Sequence, residues 1–268
     1  MADEYEVLIC QYGTRIGTRS QVFLNYEIYG QEDAPIGMDY FVWVVRNGDR
    51  TILVDTGFSE QGGENRRRTW VKPQAEIYAA LGIETHAPIT IVVTHAHYDH
   101  IGKLDLFPNA EIVIAQAEYD FWVSPMGHRA QFHHSVEDVE VDYLRTAHAA
   151  GRVRTFQGEL DLAPGIRLAE LGGHTPGLAV VRVDTSEGVV LLASDAVHYY
   201  EELEQDLPFA FVADLPAMYA GFDAINGMVA RGEVQHIVSG HDPDTLNRFA
   251  RVTEGPLAGI AATIGARA

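Results

Sequence analysis

The sequence predicts an α/β (α+β) fold in which mixed β-sheets are flanked by helices. Short runs rich in β-branched and aromatic residues recur along the 268 residues, each bounded by turn residues. Segments with a helical pattern lie between these runs. Hairpin signals occur towards both ends, which argues against a purely parallel sheet and favours mixed sheets.

The first half of the chain supplies four strands and two helices. The run "YFVWVV" at 40–45 is followed by an Asn-Gly pair, a strong hairpin signal, and "TILVDTG" at 51–57 is the returning strand. Within 68–83 a helix is expected after the proline. The segment 89–97 predicts a buried strand, and 110–122 a strand that turns into a helix.

In the second half, 153–197 alternates short strands with Gly, Pro and Asp turns. An amphipathic helix is predicted at 215–232, a last strand at 234–242 and a closing helix at 243–255. The least regular segment, 124–150, is long, polar and aromatic, and predicts an inserted cap or lid.

Length and composition indicate one globular domain over residues 1–268. Hydrophobic residues make up 47% and charged residues 21% of the chain, and we find no repeat or linker that would divide it. The single cysteine, Cys10, excludes an intramolecular disulfide. The acidic N-terminus does not resemble a signal peptide, and no apolar run reaches membrane-spanning length, so a cytoplasmic protein is expected.

The net charge of −19, from 38 acidic and 19 basic residues, narrows the choice of partner. Such a field repels nucleic acid and anionic membranes, so the expected partner is a small-molecule substrate. The one basic cluster, at 66–68, is expected to be a solvated loop. Whether two copies form a homodimer is left open.

The segment "HAHYDH" offers four potential metal ligands in six positions. At the end of a strand, residues i and i+2 point the same way, so His95 and His97 can bind one cation. The following turn lets Asp99 and His100 face a second cation. Imidazole and carboxylate suit zinc and similar divalent metals, although a histidine-rich surface loop is the alternative interpretation.

Further potential ligands follow other predicted strands and favour the metal site. His174 lies in a glycine-flanked turn, and Asp195 and His241 each follow an apolar strand. Asp55 ends another strand. Chemistry-bearing residues gathered from several strand-end loops are typical of a site built on a rigid scaffold.

Together these motifs resemble the metallo-β-lactamase superfamily, over about residues 42–243. The resemblance implies a four-layer αβ/βα sandwich with a binuclear site between its two sheets. The expected cofactors are two divalent ions per chain, in the first place Zn²⁺, with Mn²⁺, Fe²⁺ or Co²⁺ as alternatives. By this resemblance, the first metal is held by His95, His97 and His174, the second by Asp99, His100 and His241, and both by Asp195. Asp55 is expected to orient ligands from outside this set.

In layout the chain most resembles the N-acyl homoserine lactone lactonase group. Two departures are visible: Leu178 replaces a histidine found in many relatives, and His198 stands where those lactonases usually carry a tyrosine. The expected reaction is therefore the opening of a lactone or related cyclic ester or amide. The alternatives are a glyoxalase II-like thioesterase and a non-catalytic metal-binding scaffold.

The resemblance also implies roles for individual residues. A hydroxide bridging the two metals attacks the ring carbonyl, and Asp99 passes a proton to the leaving group. One metal, together with His198 or Tyr199, is expected to stabilise the oxyanion, and Tyr98 and Tyr199 are expected to contact the substrate. The alternatives are a surface histidine at a helix start for His198 and packing in the core for Tyr98. The aromatic residues Phe209 and Phe211 either line the pocket or belong to the core. The histidines of 124–150 are expected to be solvated or to belong to the lid.

Overall fold

Fourteen strands and ten α-helices make up the computed structural model, which describes residues 3–267. The strands are β1 (Glu6–Thr18), β2 (Pro35–Arg46), β3 (Thr51–Val54), β4 (Thr69–Trp70), β5 (Thr90–Val93), β6 (Glu111–Ala115), β7 (Val153–Phe156), β8 (Glu159–Ala163), β9 (Ile166–Glu170), β10 (Ala179–Thr185), β11 (Gly188–Ser194), β12 (His236–Ser239), β13 (Ala250–Arg251) and β14 (Ala261–Ile264). The helices are α1 (Arg19–Val22), α2 (Glu60–Asn65), α3 (Gln74–Ala80), α4 (Tyr98–Ile101), α5 (Gln116–Trp122), α6 (Ala130–His133), α7 (Asp138–Ala149), α8 (Tyr200–Gln205), α9 (Leu215–Ala230) and α10 (Thr245–Arg248).

The strands form two sheets, and both are mixed, as the hairpin signals predict. The first has the order β13-β14-β1-β2-β3-β5-β6-β7, with β4 paired to β1, and the second has the order β12-β11-β10-β9-β8. Strands β3, β5, β6 and β7 run parallel to their neighbours in that series, as do β11 and β12. The other ladders are antiparallel.

Alternating side chains of the strands create three apolar layers. On β2, Trp43 and Val45 belong to the core between the sheets, where Val181 of β10 packs, whereas Val44 belongs to the core beneath α3 and α7. On the far side, Ile225 of α9 packs against the second sheet. Because side chains on a strand alternate with period two, each sheet can bury both of its faces. The order helix–sheet–sheet–helix confirms the expected αβ/βα sandwich.

The C-terminal segment corrects one prediction. We expected a closing helix over 243–255, but α10 ends at Arg248 and the chain is extended at Phe249. Residues 250–251 then pair with β14 as an edge strand. Pairing with a sheet that is already formed therefore decides the conformation here, against the local helical pattern.

The segment 124–150 is more regular than the sequence suggests, because α7 occupies its second half. Val141, Leu144 and Ala147 are buried in the core that faces the first sheet. The short helix α6 and irregular backbone make up the first half. Whether the segment moves as a lid stays a prediction. Across residues 3–267, no helix is long and apolar enough to cross a membrane.

The parallel pairing of neighbouring strands determines where the site lies. Adjacent parallel strands end at the same edge of a sheet, so the loops after β3 and β5 lie side by side, as do those after β11 and β12. These four loops carry Asp55, His95, Asp195 and His241. The sandwich therefore brings two pairs of loops, one from each sheet, to a common cleft.

Candidate metal centre and substrate cavity

Seven side chains predicted as metal ligands meet at the cleft, and we call them the donor cluster. Its members are His95, His97, Asp99, His100, His174, Asp195 and His241. All seven are buried. Ligand atoms of His95, His97 and His174 lie within 4.8 Å of one another, and so do those of Asp99, His100 and His241. The two groups are the two ligand sets that the sequence resemblance implies.

Asp195 lies between the two groups, and each of its oxygens faces one of them. Oδ2 is 3.4 Å from His174 Nε2 and 3.7 Å from His95 Nε2. Oδ1 is 3.2 Å from His241 Nε2 and 3.4 Å from His100 Nε2. A Cβ at Gly240 would lie 2.6 Å from Asp195 Oδ1, so only glycine leaves room for the carboxylate there. The geometry suits a bridging carboxylate.

Backbone carbonyls and one carboxylate orient the imidazoles. His174 donates its Nδ1–H to the carbonyl of Phe211 at 2.6 Å. His241 donates its Nδ1–H to the carbonyl of Asp39 at 2.7 Å. In both residues Nε2 therefore faces the other members of the donor cluster. This arrangement, in which the outer nitrogen is held so that the inner one is a free acceptor, is typical of metal-ligating histidines.

Asp55 plays the corresponding part for His100, whose Nδ1 lies 2.7 Å from Asp55 Oδ2. The other carboxylate oxygen accepts the backbone N–H of Thr94 at 2.8 Å, and Oδ2 also accepts the Thr94 hydroxyl. Asp55 therefore ties the loop after β3 to the loop after β5. It lies in contact with a donor and outside the donor cluster, where the sequence resemblance puts it.

The protonation states and unpartnered atoms of the cluster fit divalent cations. Burial lowers the pKa of His95 and His97 well below the ordinary value and that of His174 to about 3, which keeps these rings neutral and able to ligate. His100 Nε2 and Asp195 Oδ1 are buried and make no hydrogen bond to any other residue in 3–267. Buried polar atoms without partners are costly, and a cation would satisfy both.

His198 lies beside the donor cluster, fully buried, with its ring stacked on Phe209 at 3.7 Å between centroids. Its Nε2 is 3.1 Å from Asp195 Oδ2, and its Nδ1 is 3.2 Å from a carboxylate oxygen of Glu202. Burial alone would lower the pKa of His198, but the carboxylates of Asp195 and Glu202 outweigh it and raise the pKa to about 9.

Two buried carboxylates near the site were missed from the sequence. Glu202, on α8, follows His198 by four residues, and the two side chains contact each other across the start of the helix, so this spacing is a signal that could have identified it. Glu118 gives no such signal. It accepts the backbone N–H groups of Ala96 at 2.8 Å and Gly177 at 3.0 Å, and so joins the loops that carry His97 and His174. Burial raises the pKa of Glu118.

A cavity of about 180 Å³ opens above the donor cluster. We call the residues that enclose it beyond the donors the cavity wall. They include Arg15, Met38, Tyr40, Arg68, Tyr98, Phe209 and Phe211. The wall residues come from distant parts of the sequence. Phe209 and Phe211, each predicted to belong either to the pocket or to the core, line the cavity, and Phe209 also packs in the core.

The two tyrosines predicted to contact substrate differ in position. Tyr98 lines the cavity, and its hydroxyl accepts from Arg68 Nε at 2.7 Å. Tyr199 is not among the cavity-lining residues. It is 2% exposed, its ring lies against Phe23, and its hydroxyl donates to the carbonyl of Gly37 at 2.9 Å. The structure therefore leaves His198, and not Tyr199, facing the cavity.

The segment 124–150 also reaches the site. Ser135 accepts the backbone N–H of Tyr98 at 2.9 Å through its carbonyl, and both Ser135 and His134 line the cavity. His128 and His133 lie further out with Asp138, in an exposed or half-exposed group.

Comparisons with known proteins agree with this geometry. A family model described as "Metallo-beta-lactamase superfamily" matches residues 37–234. An N-acyl homoserine lactonase of a Bacillus species is 30% identical over 190 residues, 65% of this chain and 70% of that protein. A Mycobacterium tuberculosis protein named a probable metallo-hydrolase is 29% identical over 248 residues, 79% of this chain and 77% of its own length.

The fold has close counterparts among solved structures. The crystal structure of a quorum-quenching N-acyl homoserine lactone lactonase matches with a TM-score of 0.76 at 22% identity, covering 91% of this chain and 95% of that one.

Proposed function

Because the chain belongs to the metallo-β-lactamase superfamily and is a metal-dependent hydrolase, we propose that it opens the ring of a lactone or related cyclic ester or amide. One observation carries the proposal: the two oxygens of Asp195 face two groups of potential metal ligands at the floor of a cavity. The Bacillus relatives that are named N-acyl homoserine lactonases support a lactone as the substrate class.

We assign the first cation to His95, His97 and His174 and the second to Asp99, His100 and His241. Asp195 contacts both. Zinc fits this mixture of imidazole and carboxylate donors. When bound, a pair of such cations lowers the pKa of water and polarises a carbonyl oxygen, which together supply hydrolytic chemistry.

Asp99 is the residue we assign to proton transfer. Its carboxylate lines the cavity, and Oδ2 lies 3.7 Å from His241 Nε2. Tyr12 fixes the backbone at this position, because its hydroxyl donates to the carbonyl of Asp99 at 2.9 Å. A carboxylate held there can take a proton from the attacking water and pass it to the leaving oxygen or nitrogen as the ring opens.

His198 is the residue we assign to the carbonyl oxygen of the substrate. Glu202 accepts from Nδ1 and stacking on Phe209 fixes the ring plane, so Nε2 keeps one direction. Nε2 makes no well-aligned hydrogen bond among the described residues, and the nearest acceptor is Asp195 Oδ2 at 3.1 Å. A protonated ring in this position would donate to negative charge that develops on the oxygen in the transition state.

The test is hydrolysis of a matched panel by the metal-loaded protein: γ-butyrolactone, δ-valerolactone, an N-acyl homoserine lactone, a cyclic amide and an acyl thioester. We expect turnover of at least one lactone or cyclic amide, its loss on chelation, and its recovery when zinc is restored. Turnover of the thioester alone would support the glyoxalase II-like alternative and contradict our proposal. Absence of any turnover with two metals bound would favour a non-catalytic scaffold.

A further inference from the structure

We propose that the cavity selects ring substrates that carry a carboxylate, and that Arg15 and Arg68 bind this group. The proposal rests on the proposed function and deepens it by naming a substrate class. The two arginines come from distant parts of the sequence, Arg15 from β1 and Arg68 from the residue before β4. Strands β1 and β4 pair with each other beside these two residues, and both arginines line the cavity.

The basic cluster at 66–68 is therefore not the solvated loop that the sequence suggests. Arg67 is exposed, but Arg66 and Arg68 are partly buried and line the cavity. Arg66 has a carboxylate partner, Glu137, with which it forms an ion pair. Arg68 and Arg15 have none within ion-pair distance among residues 3–267.

The contacts that the two arginines make leave donor groups free. Arg68 donates through Nε to the hydroxyl of Tyr98 at 2.7 Å and through Nη1 to the carbonyl of Arg66 at 2.9 Å. Among the described residues, the side chain of Arg15 makes one hydrogen bond, from Nε to the sulfur of Met38 at 3.3 Å. Within the described chain, Nη2 of Arg68 and both terminal nitrogens of Arg15 make no side-chain hydrogen bond, so three donor nitrogens face no protein acceptor.

The charge balance of the protein makes this arrangement informative. Acidic residues outnumber basic ones by 38 to 19, so partners for arginine are plentiful in this chain. Two arginines that line one cavity and have no ion-pair partner in residues 3–267 leave local positive charge that attracts an anion. A ligand carboxylate would pair with it, and the planar guanidinium fork matches a carboxylate in two-point hydrogen bonding.

The aromatic residues of the wall hold Arg68 in position. Its guanidinium carbon lies 5.5 Å from the ring centre of Tyr40 and 5.7 Å from that of Tyr98. These contacts fix the side chain before a ligand arrives, which reduces the conformational entropy lost on binding.

The size of the cavity limits what can accompany the carboxylate. Its volume of about 180 Å³ is below the roughly 300–1,000 Å³ of pockets that enclose drug-sized ligands. Met38, Phe209 and Phe211 offer apolar contact for a small ring. The inferred substrate is therefore a compact lactone with a carboxylate substituent, which adds one water to give a hydroxy dicarboxylate.

The test compares three substrates on the metal-loaded protein: 5-oxotetrahydrofuran-2-carboxylate, its methyl ester at the side carboxylate, and γ-butyrolactone. In the parent we expect kcat/KM for the carboxylate to exceed that for the methyl ester. Arg15→Met and Arg68→Met should each lower kcat/KM for the carboxylate by about 10–100-fold, the range for a lost charge-assisted hydrogen bond. The fall in kcat/KM for the two neutral substrates should be smaller than that for the carboxylate.

Controls separate selectivity from loss of folding. Arg231→Met removes an exposed arginine that is paired with Glu233 and should leave all three substrates unaffected. A variant that misfolds would lose activity on the neutral substrates as well as on the carboxylate. If Arg68→Met misfolds, Arg68→Lys, which keeps the positive charge, should retain part of the preference for the carboxylate. Equal losses on charged and neutral substrates in folded variants would overturn the proposal.

Direct binding separates failure of this inference from failure of the proposed function. Calorimetry with tetrahydrofuran-2-carboxylate, which has no lactone to open, should show binding that weakens in Arg15→Met and Arg68→Met. Such a result would support the anion site even if no lactone were hydrolysed. If both variants bound this compound with the parental affinity, its carboxylate would be bound by the metals and not by the arginines, which would contradict the inference.

Discussion

The donor cluster and the cavity wall lie a few ångströms apart but differ in how they are built. Donor residues follow strand ends in short motifs, and most of their rings are fixed by a buried hydrogen-bond partner, as for His100 with Asp55. Most wall residues come from strands β1 and β2, from the loop before β4 and from the segment near Phe209, whereas Tyr98 lies within the donor motif. The difference teaches that much of the cavity is built from residues outside the motifs that carry the metal donors.

The largest effect is expected from Asp195→Asn, which changes one charge at the centre of the donor cluster. An amide cannot present two anionic oxygens, so we expect loss of at least one bound metal. Loss of a residue that only orients a ligand lowers metal affinity by about 10–100-fold, and loss of the ligand Asp195 should lower it further. Elemental analysis measures the metal content, and the rate of lactone hydrolysis measures turnover. Asp161→Asn, at an exposed aspartate on β8, is the control. Two metals retained at parental affinity would contradict the bridging role.

A smaller effect is expected at His198, where the donor cluster meets the wall. If this ring donates to the substrate oxygen, His198→Ala should lower kcat by about 10²–10³-fold while two metals per chain remain bound. Tyr199→Phe should stay close to the parent, because that hydroxyl is engaged by Gly37 away from the cavity. Unchanged turnover in His198→Ala, or loss of a metal from it, would each refute the assignment.

The smallest effect concerns Glu140, which lies behind the wall, where it accepts a hydrogen bond from the Ser59 hydroxyl. Burial raises the pKa of Glu140 from an ordinary 4.5 to about 8. Between these values the folded protein binds a proton that the unfolded chain releases. The stabilisation is therefore complete below pH 4.5 and is lost as the pH rises to 8.

Glu140→Gln removes this dependence, so the Tm of the variant relative to the parent should rise by roughly 2–6 °C between pH 5 and pH 8. Differential scanning calorimetry at saturating metal measures it. Asp142→Asn, an exposed change on the same helix, should show no such trend. A constant Tm difference at all pH values would mean that the Glu140 carboxyl is not buried in this way in solution.

Much of the fold could be predicted because it depends on local pattern. The hairpin around Asn47-Gly48 and the helix over 215–230 follow from turn chemistry and periodicity, which act over a few residues. The helix expected at 243–255 was wrong because β13 pairs with β14, and β14 is itself held in the sheet by β1, at the other end of the chain. The helix at 138–149 was not predicted either, because the core that it covers stabilises it.

By itself the sequence determined the candidate metal donors, because spacing such as His-x-His-x-Asp-His and the placement of His174, Asp195 and His241 after strands constrain where these side chains can point. Only the tertiary structure decided which other groups join them. Glu118 and Arg68 carry no local signal, and their roles arise from contacts with residues that are distant along the chain. Such contacts depend on how two sheets pack, which short-range patterns cannot specify.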